Sequence, residues 1–251
     1  MSGITVTSND QFRKVFHLLD QTSTVCCRLK LYAGEEHILV DLLQRKVRLI
    51  PSATAQLASR SKAHQARIFS PFMVPHTVVI YDTNNLLKAT TSFQQKGIRE
   101  VVVKQNRKNG GMGIHLYQSI EDVYNHAAFG NLCFPFVLQP YVADFRDIRV
   151  LVIGDYAEAY QRNNPWNFRH NLHCGGQSCP IDMDERSLSF CRKVMERGDF
   201  PYAHIDLMET PDKNLHLTEI NLSGGLRGAQ ISSEEYRDWI AARHQQLLDA
   251  I

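Results

Sequence analysis

The chain has 251 residues, of which 43% are hydrophobic and 22% are charged, a balance typical of folded globular proteins and not of disordered ones. Its net charge of +2 is too small to predict a nucleic-acid surface, which usually needs a clustered basic stripe. The N-terminus lacks the basic and then apolar order of a signal peptide, and no apolar run reaches the length of a membrane span. We therefore expect a cytoplasmic protein that uses neither nucleic acid nor a membrane as a partner.

Apolar alternation and β-branched residues predict strands along the whole chain, with helical periodicity in the segments between them. The predicted strands are 25–32, 47–51, 77–81, 100–104, 113–117, 136–142, 147–154, 156–162, 202–209 and 214–221. The predicted helices are 35–46, 52–69, 83–97, 119–130, 184–198 and 232–251. This order predicts a mixed α and β fold, and two prolines in "SPFMVPHT" (70–77) predict a boundary between an N-terminal unit and the rest of the chain.

A glycine-rich segment, "KQNRKNGGMGIH" (104–115), lies between two predicted strands. Gly110, Gly111 and Gly113 would let backbone amides approach an anion closely, and Lys104 and its basic neighbours would neutralise that anion. The spacing matches neither a P-loop nor a Rossmann motif. Two interpretations remain open at this point, an anion-binding loop and an ordinary hairpin turn.

Three oxygen-bearing side chains fall on two neighbouring predicted strands near the C-terminus. Asp206 lies between Ile205 and Leu207 in an apolar run, where an unpaired carboxylate would be costly to bury. Glu219 and Asn221 are two positions apart on the next strand, so they share one face. If the two strands form a hairpin around "TPDKN", the three groups meet as an oxygen-only ligand set that suits Mg²⁺.

The middle of the chain is rich in arginine. Strand alternation in "DIRVLVIG" places Asp147 and Arg149 on one face, and Arg162 and Arg169 follow within twenty residues. Arginine binds carboxylates and phosphates through two parallel hydrogen bonds. Because these arginines are interleaved with apolar residues, they indicate a binding site rather than a solvated surface.

The order of the motifs "DIRVLVIGDYAEAYQR", "FRHNLHCGG", "HIDLM" and "LTEINLSGGLRG" resembles the ATP-grasp superfamily, and in particular its RimK-type branch of ribosomal-protein glutamate ligases and related peptide ligases. The resemblance covers about residues 75–228. It implies an α+β ATP-grasp fold, in which two α+β subdomains hold ATP between them, preceded by a short α/β unit. The implied ranges are 1–74 for the N-terminal unit and 75–251 for the ATP-grasp domain, with a lid subdomain at about 75–138 and a C-terminal subdomain at about 139–251.

The resemblance also implies roles for individual residues. Those matching the nucleotide-binding positions are Lys62, Lys104, Gly110, Gly111, Gly113, Gln139, Pro140 and Tyr141, the last three forming the hinge that reads adenine. Asp206, Glu219 and Asn221 match the ligands of Mg²⁺, for which Mn²⁺ is an alternative. Arg162 and Lys104 match catalytic positions near the transferred phosphoryl group. The positions that match the substrate pocket are Arg149, Arg169, Asn171 and Arg227.

The implied activity is ATP-dependent ligation of a carboxylate to an amine through an acyl phosphate, with small molecules or peptides as substrates. The chain departs from the RimK-type pattern in two ways: its front unit of about 70 residues is short, and Arg227 stands where an acidic residue is usual. Transfer of glutamate to a protein tail is therefore not assumed. A nucleotide-binding partner subunit without turnover, a small-molecule kinase on the same scaffold and homo-oligomer formation are all left open.

Overall fold

The computed structural model of the chain describes residues 3–108 and 110–250 and contains three β-sheets with helices packed against them. The N-terminal sheet has three parallel strands in the order β1 (Thr5–Val6), β2 (Thr24–Cys26) and β3 (Arg48–Ile50). Helices α1 (Asn9–Val15) and α2 (His37–Gln44) connect the strands. Phe12, Val25, Leu39 and Leu42 pack in a buried apolar cluster between sheet and helices.

Two predictions for this region are wrong in detail. The strand predicted at 25–32 ends at Cys26, because side chains rather than a neighbouring strand bind the backbone of residues 28–30. The single helix predicted at 52–69 is two helices, α3 (Ala53–Ala58) and α4 (Lys62–Ile68). Ser61 separates them, since its backbone is extended and its hydroxyl accepts a hydrogen bond from the amide of His64, which makes it the N-cap of α4.

The second sheet is antiparallel and follows α4 in the chain. Its strands, in spatial order β4-β7-β5-β6, are β4 (Val78–Ile80), β5 (Val101–Gln105), β6 (Ile114–Tyr117) and β7 (Phe136–Pro140). Two helices, α5 (Thr83–Gln95) and α6 (Ile120–Ala128), pack against it. β5 and β6 form a hairpin, and the glycine-rich segment is the loop that joins them.

The third sheet is also antiparallel, with the spatial order β10-β9-β8-β11-β12. Its strands are β8 (Arg146–Ile153), β9 (Tyr156–Asn163), β10 (Gln177–Ile181), β11 (Tyr202–Glu209) and β12 (Leu215–Asn221). Helix α7 (Glu185–Gly198) packs with α3 and α4 on its apolar face. Because side chains alternate along a strand, Val150 and Ile205 point into this core, while Arg149 and Asp206 point to the other face.

The C-terminal helix α8 (Ser233–Asp249) joins the N-terminal sheet to the third sheet, and the last residue of its predicted range, Ile251, lies outside the described residues. Tyr202 on β11 bonds the imidazole of His244 over 3.0 Å, and the carbonyl of His244 lies 3.9 Å from the thiol of Cys26. Helix α4 is tied to the third sheet, because the side-chain amide of Gln65 donates to and accepts from the backbone of Ile220 on β12. The division of the chain at residue 74 stays a prediction.

Within the described ranges, no helix combines the length and the apolarity that a membrane span requires.

Candidate active site

A cavity of about 450 Å³ lies between the second and third sheets. Its lining includes Lys104 and Gln139 from the second sheet and Asp206 and Glu219 from the third. Eight basic side chains line it, namely Arg28, Lys62, Lys104, Lys108, Arg149, Arg162, Arg169 and Arg227. Only three acidic side chains are among the lining residues, namely Asp147, Asp206 and Glu219. The excess of positive charge favours a polyanionic ligand.

The strand register places four side chains in one row across the third sheet. Tyr160 on β9 lies directly opposite Arg149 on β8, Arg149 lies opposite Asp206 on β11, and Asp206 lies opposite Glu219 on β12. The β11–β12 hairpin that the sequence predicts is therefore present, and it brings Asp206 beside Glu219. Asn221 lines the same cavity two residues further along β12.

Asp206 is buried and is bound by two arginines. Its carboxylate oxygens accept from Nε and Nη2 of Arg149 at 2.6 and 2.7 Å, and Nη2 of Arg162 lies 3.3 Å from Oδ2. Burial alone would raise the pKa of Asp206, but these guanidinium groups outweigh it and hold the pKa well below its usual range. Asp206 is thus ionised at neutral pH, and it in turn keeps Arg149 charged.

A second buried pair lies beside the first. Arg162 is 6% exposed and donates from Nη2 to Oδ1 of Asp147 over 2.7 Å, across directly opposite positions of β9 and β8. Burial raises the pKa of Asp147, and Arg162 partly offsets that effect. Nε of Arg162 is buried and has no hydrogen-bond partner among the described residues. This nitrogen is therefore available to donate a hydrogen bond to a ligand or to water in the cavity.

Two lysines approach the carboxylates from the other side of the cavity. Nζ of Lys62 donates to Oε1 of Glu219 over 3.1 Å and to the carbonyl of Lys108 over 2.9 Å. Nζ of Lys104 lies 3.4 Å from the carbonyl of Thr218. Burial is the main reason that the pKa of Lys104 is lowered to about 8. The negative charge of Glu219 partly opposes this shift, and the positive charge of Lys62 adds to it. Lys104 is therefore a cation that still lacks a full counter-charge.

The glycine-rich loop closes over the cavity from the second sheet. Gly110 and Gly111 line the cavity and have positive φ angles of 66° and 80°. A Cβ atom at Gly111 would lie 2.6 Å from the side-chain amide nitrogen of Asn171, and the positive φ angle at this position itself favours glycine. Gly113 is not among the lining residues, and a Cβ atom there would collide with Cβ of Lys108. The segment is thus a hairpin connection that also lines the cavity, so the two interpretations of its sequence are compatible.

The predicted hinge residues take different positions. The side chain of Gln139 is 3% exposed and lines the cavity, as does Tyr141, whereas Pro140 lies outside the lining. The backbone amide of Tyr141 donates to the carbonyl of Glu100 over 2.9 Å and is not free for a ligand. The next residue, Val142, also lines the cavity, and its amide has no acceptor within the described part of the chain.

The segment between β9 and β10 forms another wall. Arg169 donates to the carbonyl of Ile114 on β6, over 2.8 Å from Nε, and its guanidinium lies 4.3 Å from the centre of the Phe168 ring. Nδ1 of His170 and Oδ1 of Asn171 are buried without partners among the described residues, and both residues line the cavity. Together with Nε of Arg162, three cavity-lining residues thus carry orphaned polar atoms, which fits a polar ligand.

Sequence reasoning missed the part that two charged residues play in the site. Strand alternation predicts that Asp147 shares a face with Arg149, but the sequence contains no signal that Asp147 binds Arg162. Arg28 lines the cavity from the N-terminal unit, where the sequence predicts the interior of a strand.

The predicted substrate residue Arg227 lines the cavity from the loop after β12, and its Nη1 donates to the carbonyl of Leu172 over 3.2 Å.

The oxygen donors at the β11–β12 hairpin fit a hard divalent cation. Oε2 of Glu219 and the side-chain oxygen of Asn221 have no hydrogen-bond donor among the described residues, so both can accept a metal. Asp206 differs because two arginines already bind its carboxylate. No third His, Cys, Asp or Glu joins the two carboxylates in a metal-binding cluster within residues 3–108 and 110–250. Such a sparse oxygen set suits Mg²⁺, which keeps several non-protein ligands.

Comparison with solved structures defines the class of fold. A D-cycloserine synthetase superposes on 88% of this chain with a TM-score of 0.63, over 84% of its own chain, at 17% sequence identity. A D-alanyl-alanine synthetase A from Vibrio cholerae superposes on 88% of this chain with a TM-score of 0.56, over 76% of its own chain, at 13% identity. At these identities the likeness shows the fold, which is the α+β ATP-grasp fold that the sequence predicts.

The family follows from the sequence itself. The model of the RimK-like ATP-grasp domain matches residues 58–238, so the chain belongs to this family. A glutathione synthetase from Agrobacterium fabrum is 28% identical over 182 residues, which are 64% of this chain and 53% of that protein. A ribosomal protein bS6–L-glutamate ligase from Escherichia fergusonii is 31% identical over 137 residues, 52% of this chain and 45% of that protein. The chain thus spans about half the length of these relatives.

Proposed function

We propose that the chain is an ATP-dependent carboxylate–amine ligase that forms an amide or peptide bond through an acyl phosphate. The observation that carries the proposal is the cavity, in which eight basic side chains face three acidic ones and three lining residues have orphaned polar atoms. Family membership supports the same chemistry. The reaction is placed in the cytoplasm, where ATP is available and where the six free cysteines would stay reduced.

The reaction has two steps. A carboxylate oxygen of the first substrate attacks the γ-phosphorus of ATP, and ADP leaves with the electron pair of the broken P–O bond. The nitrogen of the amine substrate then attacks the acyl carbon, inorganic phosphate leaves, and the amine loses a proton. Phosphoryl transfer depends mainly on positioning and on electrostatic stabilisation, and a cavity lined by fixed cations provides both.

The residues of the chain have separate tasks in this proposal. Arg162, held by Asp147, and Lys104 stabilise the charge that develops on the transferred phosphoryl group. Lys62, Gly110 and Gly111 hold the phosphates, and Gln139 and Tyr141 form the adenine wall, to which we add the amide of Val142. Gly113 and Pro140 lie outside the lining, so their proposed role is to shape the loop and the hinge. The residues that contact the substrates are Arg149, Arg169, Asn171 and Arg227.

The divalent cation is part of the proposal. Glu219 and Asn221 would hold Mg²⁺ or Mn²⁺ with their free oxygens, and Asp206 would share its carboxylate between the cation and Arg149. When bound, the cation would supply positive charge next to the phosphate oxygens.

The substrates are proposed to be a small-molecule or peptide carboxylate and an amine. The bS6–L-glutamate ligase among the relatives joins glutamate to a ribosomal protein, as its name states. In this chain Arg227 lines the cavity and adds a positive charge where acidic substrates would be attracted.

A mass-balanced assay tests the proposed function. The protein is incubated with Mg-ATP and a pool of amino acids and small carboxylates, and ADP, inorganic phosphate and new products are quantified together. Equal amounts of ADP and phosphate, with a product one water lighter than two pooled compounds, are expected. ADP with a phosphorylated product and no free phosphate would show a kinase instead. Saturable Mg-ATP binding without turnover on any pooled compound would favour a binding subunit.

Lys104 makes nucleotide binding depend on pH. Because its pKa is about 8 in the free protein, about half of the molecules lack this charge at pH 8. A bound polyphosphate stabilises the charged form, so binding at pH 8 should take up about half a proton per site. Calorimetry in buffers of different ionisation enthalpy measures this uptake. Lys104→Met should abolish both uptake and tight binding, whereas Lys104→Arg should abolish uptake and retain more affinity. Unchanged uptake in both variants would contradict the assignment.

A further inference from the structure

Three residues at alternate positions of β11 share the face of the third sheet that carries the cavity. Asp206 lines the cavity, whereas Tyr202 and His204 are covered by helix α8 and lie outside the lining. All three residues are buried. His204 is thus a buried neighbour of the cavity, two residues away from a proposed metal ligand.

The imidazole of His204 lies beside two parts of the proposed metal site. In the strand register His204 is directly opposite Asn221 on β12. Opposed residues of an antiparallel pair point to the same face, with their Cβ atoms about 4.5–5.5 Å apart. Gly224, which lines the cavity, packs on the same ring, because a Cβ atom there would lie 2.9 Å from Cγ and Nδ1 of His204. The position of this ring therefore affects both Asn221 and the loop that follows it.

The side chain of Asn221 depends on its neighbours for its orientation. Its backbone is fixed on both sides, because Gln65 bonds the backbone of the preceding residue and the hydroxyl of Ser59 accepts from the amide of the following one over 3.0 Å. Its side-chain amide makes no hydrogen bond within the described part of the chain. Packing must therefore select its rotamer, and His204 is its neighbour across the strand pair.

One hydrogen bond from α8 reaches the imidazole of His204. The hydroxyl of Tyr236 lies 3.1 Å from Nε2, and the two ring centroids are 5.4 Å apart. Tyr236 is itself well placed, since it follows the capping box of Ser232 and Glu235 at the start of α8. Burial is the main reason that the pKa of His204 is lowered to about 4, so the ring is neutral at neutral pH. Loss of the hydroxyl would thus alter the geometry of the site without altering its charge.

We propose that Tyr236 and His204 are positioning residues for the divalent cation. The hydroxyl of Tyr236 fixes the imidazole of His204, and the imidazole in turn holds the side chain of Asn221 and the backbone of Gly224 at the cation site. This inference rests on the proposed function and adds to it a role for α8, none of whose residues lines the cavity.

Binding of Mn²⁺ to the complex of the full chain with ADP tests this role, because electron paramagnetic resonance measures the free ion directly. Tyr236→Phe removes only the hydroxyl and keeps the aromatic ring. We expect it to raise the dissociation constant of Mn²⁺ about tenfold, since groups that orient a metal ligand contribute to metal affinity on this scale.

Tyr202→Phe is the matched control. The hydroxyl of Tyr202 bonds Nε2 of His244 over 3.0 Å, with the ring centroids 5.4 Å apart, between the same strand and the same helix. Neither Tyr202 nor His244 lines the cavity. Each variant loses one tyrosine–histidine hydrogen bond, so both should unfold about 2–4 °C below the wild type. Only Tyr236→Phe should bind Mn²⁺ more weakly.

Each result separates the positioning role from the proposed function. Weaker Mn²⁺ binding in Tyr236→Phe alone would support the positioning role. The same dissociation constant in Tyr236→Phe and in the wild type would overturn it. Equal weakening in both variants would overturn it too, because lost stability alone would then explain the effect. Failure of the wild-type protein to bind ADP with Mn²⁺ would instead overturn the proposed function, and the positioning role with it.

Discussion

Replacing Glu219 with glutamine is expected to lower ATP-dependent product formation by about 10²-fold or more while the protein remains folded. Glutamine keeps the shape of the side chain but removes the negative charge that would hold the divalent cation and that binds Lys62 in the free protein. The fold should tolerate the change because the side chain of Glu219 is 25% exposed and forms a single ion pair. Steady-state rates at saturating Mg-ATP, together with thermal unfolding, measure the two effects.

Glu209→Gln is the matched control for this experiment. Glu209 lies on the same hairpin, pairs with Arg146 over 2.6 Å and is not part of the cavity lining. Its replacement should leave the rate within about twofold of wild type, since Glu209 lies outside the cavity and contacts none of the proposed metal-binding side chains. Equal rates in the Glu219→Gln variant and in the wild type would show that the metal assignment at this hairpin is wrong.

Replacing Asp206 with asparagine is expected to lower the free energy of unfolding by about 3–5 kcal/mol. The carboxylate of Asp206 is the shared partner of partly buried Arg149 and buried Arg162, and asparagine would leave these two cations with one remaining counter-charge at Asp147. Turnover should also be lost, so Asp206 is a poorer probe of the metal than Glu219, whose replacement spares the fold. Urea unfolding of both proteins measures the difference.

The lowered pKa of Asp206 also predicts how the loss of unfolding free energy in Asp206→Asn depends on pH. The pKa of Asp206 is lowered in the folded state, so its stabilising contribution is complete above the ordinary aspartate pKa of about 3.9 and declines as the pH falls through the lowered value. The deficit of Asp206→Asn should therefore be constant near neutral pH and shrink only in strong acid. Asp147→Asn is the control, because burial raises the pKa of Asp147 and a neutral side chain costs less there. Equal deficits in the two variants would contradict this account.

The glycine-rich loop shows which structural features its own residues predict and which they do not. Its composition left open a hairpin turn and an anion-binding loop; the hairpin between β5 and β6 confirms the turn, and anion binding by Gly110 and Gly111 stays a prediction. Sequence could not predict that Gly111 lies against Asn171, because that contact joins segments sixty residues apart. Nor could it predict that the amide of Tyr141 is already bound to Glu100.

The sequence by itself determined the elements whose cause is local. Strand alternation placed Asp147 with Arg149 and Glu219 with Asn221, and the motif order identified the family that the chain belongs to. Ser61 is a local cap whose signal was present but outweighed by the helical periodicity on both sides of it.

Only the tertiary structure decided which charges are paired. Strand register set Asp206 between Arg149 and Glu219, and Arg162 opposite Asp147, whereas Arg28 and Arg227 were left without acidic partners among the described residues. The physical reason is that pairing depends on distances between strands and loops far apart in the chain, while periodicity reports only which face a side chain occupies. The same limit explains why the contribution of the N-terminal unit to the cavity became visible only in three dimensions.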